Sequence, residues 1–329
     1  MHIFNHPNYN FLRWRWHAVA LSWVVILAGV GVILTTGMPL GIEFAGGTSV
    51  IAQFDQAPSV EGVRSALSAN YQGGGQDAIV QTYGDPTLRQ IMVRVPQVGA
   101  ESGGALGTTA QAVEAALRKG GFGNFTVVGT EIVGPVVGQE LTRKGIYAFL
   151  ASLAGILAYI AFRFEFSFAV GAVVATVHDV FVTFAILAFF GYDLTLNVVA
   201  AILAVTGYST NDTIVIFDRV RENRRSKRRD ALGEVINTSL NQTLGRTVIT
   251  AGTALLSSIA LFVFGGEVLR GFAFTMIVGI LTGTYSSVFV AAAIVTFWRR
   301  EGSRSGSEVV PAAAPASRRS KAQQKARAS

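Results

Sequence analysis

The residues best able to do chemistry in this sequence are polar side chains inside long apolar stretches. Asp212 lies near the end of an apolar run that begins at Leu194, within the stretch GYSTNDTIVIF. A charged side chain at the centre of a bilayer costs at least about 2.5–3.5 kcal/mol on insertion scales, so such a residue is a functional candidate. Tyr208 lies one helical turn earlier on the same face, and Asn211 directly precedes the carboxylate.

A second polar set opens the next apolar stretch. Its members are spaced 3, 4, 3 and 4 residues apart, which places them on one stripe of a helix. They are Thr243, Arg246, Thr250, Thr253 and Ser257. A hydroxyl stripe headed by an arginine is costly to expose to lipid, so we expect it to face another helix. Arg246 should lie at the depth of Asp212, and the two could form a proton-handling pair or a purely structural ion pair.

A third polar position is His178-Asp179, in the middle of another apolar run. Thr176 and Thr183 flank the face of Asp179. A hydrogen bond between helices explains this carboxylate nearly as well as proton transfer does. Asp179 is therefore a secondary candidate for a proton relay.

The composition indicates the class of protein that must position these residues. The chain has 329 residues, of which 50% are hydrophobic and 14% charged. Soluble proteins carry about 25% charged residues, so the balance favours a membrane protein. The absence of cysteine excludes disulfides, thiolate metal sites and cysteine nucleophiles. Without a GxxxxGK[ST] motif we do not expect ATP to be the energy source. We predict no enzyme activity, no metal and no cofactor, with protons as the coupling ion.

Six segments are long and apolar enough to cross about 30 Å of hydrocarbon. They are His17–Gly37, Gly145–Phe162, Phe168–Phe190, Leu194–Phe217, Thr247–Gly265 and Gly271–Trp298. The first has no small-residue cleavage site after it, so we interpret it as an uncleaved anchor. Lysine and arginine in the short connections place both termini in the cytoplasm, starting with residues 1–16.

Two basic segments should accompany the spans on the cytoplasmic side. In residues 218–244 the cluster Arg219–Arg229 precedes the apolar helical face of Leu232, Val235, Ile236 and Leu240, which predicts an amphipathic helix on the membrane surface. The Ala/Ser/Pro-rich tail, residues 299–329, has too few apolar residues to fold. We interpret the tail as a solvated topological anchor; ribosome, RNA or anionic lipid headgroups are the alternatives. We expect no nucleic-acid partner.

The segment between the first two spans, residues 40–140, is the predicted soluble domain on the opposite, periplasmic side. Strand and helix patterns alternate in the order βαββαβ, from TSVIAQF at Thr48–Phe54 to NFTVVGTEIV before the second span. This order is that of a ferredoxin-like split unit. The domain contains no Ser/His/Asp set, HExxH motif or phosphate-binding loop, so enzymatic chemistry there is not expected.

Several stretches carry a resemblance to a known family. GIEFAGGTSV resembles the D/E-F-x-G-G-T motif of the SecD/SecF family, with Glu43, Phe44, Gly46 and Gly47 at the motif positions. IVGPVVGQELTRKG, the long stretch from VHDVFVTF to DRVREN, and TSLNQTLGRTVIT resemble the spans of the SecF members. The similarity covers about residues 10–298; the departures are a Gly-rich insert near Gly99–Gly107 and the basic tail.

The resemblance implies a function and a set of partners. SecF members are six-span partners of SecD in the bacterial Sec translocase and relatives of the resistance-nodulation-division pumps. By resemblance, Asp212 matches the membrane aspartate of proton conduction and Arg246 the arginine coupled to it. The implied partners are SecD, the SecY channel complex, the further subunits YajC and YidC, translocating preproteins and membrane lipids. The implied location is the bacterial cytoplasmic membrane.

Two other function classes compete with this interpretation. A proton-driven small-molecule exporter would have to self-associate, because six spans are half of the twelve-span unit of that superfamily. An intramembrane aspartyl protease would need a second carboxylate, from Asp179 or Asp193, beside Asp212. The topology places Asp193 in an outer loop, and no GxGD context surrounds the second carboxylate.

Overall fold

The computed structural model describes residues 7–37, 40–71, 75, 78–96, 106–226 and 230–297. The predicted basic tail, most of the Gly-rich insert and the end of the basic cluster lie outside these described residues. Within them, six helices are long and apolar enough to span a membrane. They are α1 (Phe11–Thr36), α5 (Pro135–Arg163), α6 (Phe166–Phe189), α7 (Leu196–Ser226), α8 (Leu232–Phe264) and α9 (Gly266–Ser286). The predicted six-span architecture is confirmed.

The last span does not end at Ser286. A π turn at Ser287–Ala291 follows it, and the chain continues as helix to Phe297. π turns are rare and occur mostly as single turns inside helices, frequently at functional sites. This one faces α7, where Ser287 and Thr213 hydrogen-bond through their hydroxyls at 2.8 Å.

The predicted amphipathic surface helix in residues 218–244 is wrong. α7 continues to Ser226 and α8 begins at Leu232, so residues 218–226 and 232–244 are the ends of two long helices. Val235, Ile236 and Leu240 are buried in a core shared with α6, α7 and the end of α9. Their apolar face packs against protein rather than lipid because α7 and α8 are antiparallel neighbours joined by a short connection.

The segment between the first two spans folds as a small sheet domain. Its elements are α2 (Ile42–Ala45), β1 (Gly47–Phe54), α3 (Val60–Asn70), β2 (Ile79–Tyr83), β3 (Gln90–Val95), α4 (Leu106–Lys119) and β4 (Phe125–Val133). The strands form one antiparallel sheet in the order β2-β3-β1-β4, so from β1 to β4 the predicted βαββαβ order is observed. Both helices cover one face, where Phe54, Leu67, Val93 and Leu117 are buried.

The GIEFAGG motif forms the junction between this domain and the spans. Gly46 and Gly47 have φ angles of 72° and 124°, a region that favours glycine. A Cβ atom on Gly47 would lie 2.4 Å from the carbonyl oxygen of Val95, so only glycine fits where β1 begins. A Cβ atom on Gly138 of α5 would lie 2.9 Å from the carbonyl oxygen of Phe44, so this glycine lets α2 pack closely against the second span.

A second contact joins the sheet domain to the loop between α6 and α7. Arg94 of β3 forms an ion pair with Asp193, and both side chains are largely buried. Gln81 donates to the same carboxylate at 3.3 Å, and the backbone N–H of Gly41 donates to the carbonyl oxygen of Leu194 at 2.7 Å. The domain is therefore tied to the residues that immediately precede α7.

The start of the chain is tied to α8 by two asparagines. The side-chain oxygens of Asn241 and Asn237 accept from the backbone N–H groups of Tyr9 and Phe11, at 2.8 Å and 2.9 Å. Both side-chain amides also donate to the carbonyl oxygen of Tyr9. These bonds satisfy backbone groups at the start of α1 that the helix itself leaves unpaired.

Candidate functional site

Close packing of α7 on α9 brings the polar residues of the bundle together. Gly279 and Gly283 are four residues apart on α9 and face Val205 and Ser209 of α7. A Cβ atom on either glycine would lie within 2.8 Å of these side chains, so larger residues would push the helices apart. Small residues at this spacing let the backbones of membrane helices approach.

Asp212 lies on α7 and faces α8. Its side chain is buried, with 7% of the residue exposed. Thr247 of α8 donates its hydroxyl to Oδ1 at 2.7 Å. The second oxygen, Oδ2, is buried and has no hydrogen-bond partner. An unpartnered polar atom in an apolar interior carries a desolvation penalty, so this carboxyl group has an unfilled place for a proton or a donor.

Arg246 does not form an ion pair with Asp212. No ion pair within 4.0 Å joins them in the part of the chain that the structure describes, and Arg246 is exposed on the outer face of α8. Arg246 and Thr247 are neighbours in sequence and therefore point about 100° apart around the helix. The threonine takes the contact with the carboxylate, and the guanidinium lies beside it on the outside.

The predicted polar stripe of α8 divides into buried and exposed members. Thr243 is buried and donates to the carbonyl oxygen of Ser239 at 3.0 Å. Thr250 and Thr253 are exposed and likewise donate to carbonyl oxygens of their own helix. These hydroxyls are satisfied locally. From Arg246 onward, the stripe is exposed at Thr250, Thr253 and Ser257 in the described part of the chain.

The two α7 residues predicted to support Asp212 have different surroundings. Tyr208 is half-buried, next to Thr250 of α8 and Thr284 of α9. Asn211 is exposed and points away from the buried carboxylate. The structure therefore brings Tyr208, but not Asn211, to the interface between α7, α8 and α9.

Asp179 of α6 lies at the centre of a separate cluster. Only 1% of the residue is exposed. Ser209 of α7 and Ser286 of α9 donate to Oδ2 at 2.6 Å and 2.8 Å. Nδ1 of His178 lies 3.0 Å from Oδ1. We call these four residues the Asp179 cluster; it joins three helices and leaves neither carboxylate oxygen without a partner.

Sequence reasoning missed the donors to both carboxylates. The predicted stripe runs through Arg246 and therefore omits Thr247. However, Thr247 lies four residues after Thr243 and so near the same face of the helix. Ser286 and Ser287 form a polar pair within the sixth span, and this pair was the available signal. Ser209 gave no signal of its own, because serine is common where membrane helices pack closely.

The junction motif also contains an unpartnered polar atom. Oε2 of Glu43 is buried and makes no hydrogen bond.

Farther into the domain, burial raises the pKa of Tyr83, and the nearby carboxylates Glu131 and Glu267 raise it further. Glu267 lies in the first turn of α9, so this tyrosine lies where the sheet domain meets the span.

Two family models match the chain. The description "Protein export membrane protein SecD/SecF, C-terminal" matches residues 112–301, and "SecD/SecF GG Motif" matches residues 31–58. The second match contains the glycine junction before β1.

Curated relatives and a solved structure agree with these models. The chain is 44% identical to the protein translocase subunit SecF of Desulfurispirillum indicum, over 88% of this chain and 91% of the relative. It is 39% identical to the SecF subunit of Escherichia coli O157:H7, over 87% and 86%. The crystal structure of SecDF, a translocon-associated membrane protein from Thermus thermophilus, is 34% identical with a TM-score of 0.79. The chain is covered over 89% of its length and spans 39% of that structure. The chain therefore belongs to the SecD/SecF family of protein export membrane proteins.

Proposed function

We propose that this chain is an accessory subunit of the Sec preprotein translocase, which uses the proton gradient to complete protein export. The observation that carries the proposal is the buried carboxylate of Asp212, whose Oδ2 has no partner. The names of the curated relatives and the SecDF structure support the Sec assignment. In this proposal Asp212 takes up and releases the coupling proton, and no enzymatic step or cofactor is involved.

The proton acts by changing the charge between two helices. When Asp212 is charged, its carboxylate accepts from Thr247 of α8 and lies beside the charge of Arg246. When it is protonated, the attraction to the guanidinium is lost and the hydroxyl group of the acid becomes a donor. One charge moved through a membrane potential supplies about 2.3 kcal/mol per 100 mV. A few protons suffice to shift α7 against α8.

A movement of α7 reaches the sheet domain through the loop before it. The ion pair of Asp193 with Arg94 connects the start of α7 to β3. The junction of α2 with α5 provides the second point of attachment. In the proposed cycle the sheet domain moves with α7 and acts on the emerging preprotein by contact.

The exposed polar face of α8 indicates that a partner protein covers it. Arg246, Thr250, Thr253 and Ser257 are all exposed, and a guanidinium in hydrocarbon is expensive. We assign this face to a SecD-type partner, whose spans would cover the charge. The SecY channel complex, YajC, YidC and the preprotein complete the proposed assembly.

The orientation follows from the basic residues. Arg13, Arg15, Arg163 and the arginines at the end of α7 lie at one end of the spans. The positive-inside rule places that end in the cytoplasm of the bacterial inner membrane and the sheet domain in the periplasm.

The proposal is tested with Asp212→Asn in vesicles that contain the reconstituted translocase. Asparagine is similar in size and still forms hydrogen bonds, but an amide does not carry a proton on and off. We expect an assembled complex in which the proton gradient no longer stimulates preprotein release. Arg246→Met should impair the same step by removing the neighbouring charge.

The matched control is Asn211→Asp, which moves the carboxyl group to the exposed neighbour. Together with Asp212→Asn it should not restore stimulation, because position 211 points away from Thr247. Full stimulation of release by the Asp212→Asn translocase would refute the proton relay.

A further inference from the structure

A groove that the proposed function does not use opens between α1, α6 and the end of the last span. We call it the α1 groove, and its volume is about 810 Å³. It is lined by Trp16 and Trp23 of α1, Val174 and Phe181 of α6, and Ala293 and Phe297 after the π turn. Its lining is predominantly apolar and shares no residue with the exposed face of α8.

One end of the groove is cationic. Arg15 lines it there, and its guanidinium lies 5.7 Å from the ring of Trp16. In the part of the chain that the structure describes, Arg15 has no carboxylate partner, and no acidic residue lines the groove. Arginine and tryptophan together are typical of the boundary between hydrocarbon and headgroups. This end therefore suits an anionic group at the membrane surface.

The length of the groove matches one leaflet. It extends along α1 from Arg15 to Ile26, eleven residues that rise about 16 Å along a helix. Half of a hydrocarbon core of about 30 Å has nearly this thickness. The groove is therefore as long as an acyl chain of one leaflet.

A polar atom on the wall of the groove lies away from its cationic end. His178 lines the groove, and its Nε2 is buried without a partner while Nδ1 contacts Asp179. The His178 ring stacks on Tyr285, whose hydroxyl binds the backbone of Ala18. Ala18 lies about 5 Å below Arg15 by helical rise. His178 itself is twelve residues after the start of α6 at Phe166, about 18 Å along the helix, so it lies near the middle of the membrane.

We propose that the α1 groove binds an anionic glycerophospholipid of the leaflet at the N-terminal end of α1. The phosphate pairs with Arg15, and an acyl chain lies along Val174 and Phe181. The lipid covers apolar surface that the six spans leave open. It also shields the wall of the groove behind the Asp179 cluster from water.

The test uses the tryptophans of the groove as reporters. Two of the four tryptophans in the chain, Trp16 and Trp23, line the groove, so brominated acyl chains bound there should quench their fluorescence. The full chain is reconstituted in vesicles with brominated phosphatidylglycerol in plain phosphatidylcholine, and in the reverse mixture. We expect quenching to show a preference for phosphatidylglycerol that falls about fivefold in Arg15→Gln, the effect of one charge at an anionic surface.

Three variants make the result specific. Arg15→Lys keeps the charge and should keep the preference, and Arg13→Gln removes an exposed charge outside the groove and should also keep it. Ala293→Leu fills the groove and should reduce quenching by either lipid. An unchanged preference in Arg15→Gln, or an equal loss in Arg13→Gln, would overturn the proposal. So would a disulfide-linked dimer of Val19→Cys in this cysteine-free chain, because a second copy would then cover the groove.

Discussion

Two buried aspartates in the same bundle differ in how completely they are paired. Asp179 is held by Ser209 and Ser286 at one oxygen and by His178 at the other. Asp212 has one donor, Thr247, and an oxygen with none. The two carboxyl groups are on neighbouring helices, yet one is saturated and the other is not.

This difference indicates a packing role for Asp179 and a proton-transfer role for Asp212. A carboxyl group with donors from three helices loses several hydrogen bonds whenever it moves, so it fixes those helices in place. A carboxyl group with an unpartnered oxygen can change its proton without breaking such a network. On this argument the Asp179 cluster joins α6, α7 and α9 into one unit, and this unit moves against α8 at Asp212.

The largest expected difference in stability comes from Asp179→Ala. The substitution leaves two serine hydroxyls and an imidazole without their acceptor, and hydrogen bonds between membrane helices are worth about 0.6 kcal/mol on average. With the cost of unpartnered buried groups, we expect a loss of about 2–3 kcal/mol in the free energy of unfolding. Asp212→Ala should lose less than about 1 kcal/mol, since only one donor is orphaned. The free energy of unfolding of both variants in detergent tests this difference, and equal losses would contradict it.

An intermediate effect is expected from Thr247→Val, which removes the donor to Asp212 and keeps the shape. One hydrogen bond to a charged group is worth about 1.5–3 kcal/mol, so gradient-stimulated preprotein release should fall about tenfold or more. Thr247→Ser restores the hydroxyl and should restore release. If the valine variant retains full stimulation, Thr247 does not position the carboxylate for transfer.

The smallest effect is expected from Ser209→Ala. Oδ2 of Asp179 keeps Ser286 as a donor, so we expect a loss of about 0.5–1 kcal/mol in stability and unchanged stimulation by the gradient. The double variant with Ser286→Ala should lose more than the sum of the two single variants. Additive losses would show that the cluster is not cooperative.

The elements of the fold were largely predictable from local sequence patterns. Apolar length gave the six spans, and alternating and helical periodicities gave the βαββαβ order. The error in residues 218–244 has a physical reason. A helical apolar face, such as Val235 and Ile236, has the same pattern whether it meets lipid or another helix, and only the packing of α7 on α8 decides between them.

The contacts at the two carboxylates were less predictable. Ser286 is 107 residues from Asp179 in the sequence, and their bond depends on how α9 packs against α6. The choice of Thr247 over Arg246 depends on a helix rotation of a single position. Periodicity assigns residues to a stripe but does not fix the rotation of that stripe against its neighbours.

The two asparagines that hold the start of α1 have a consequence for biogenesis. Tyr9 leaves the ribosome long before its partner Asn241, which is 232 residues later in the sequence. At about 5–20 residues per second, the interval is roughly 10–45 s. During that time the first span is in the bilayer while the backbone groups at its start still bond to water. The start of the first span can therefore bind its partners only after the fifth span has been synthesised.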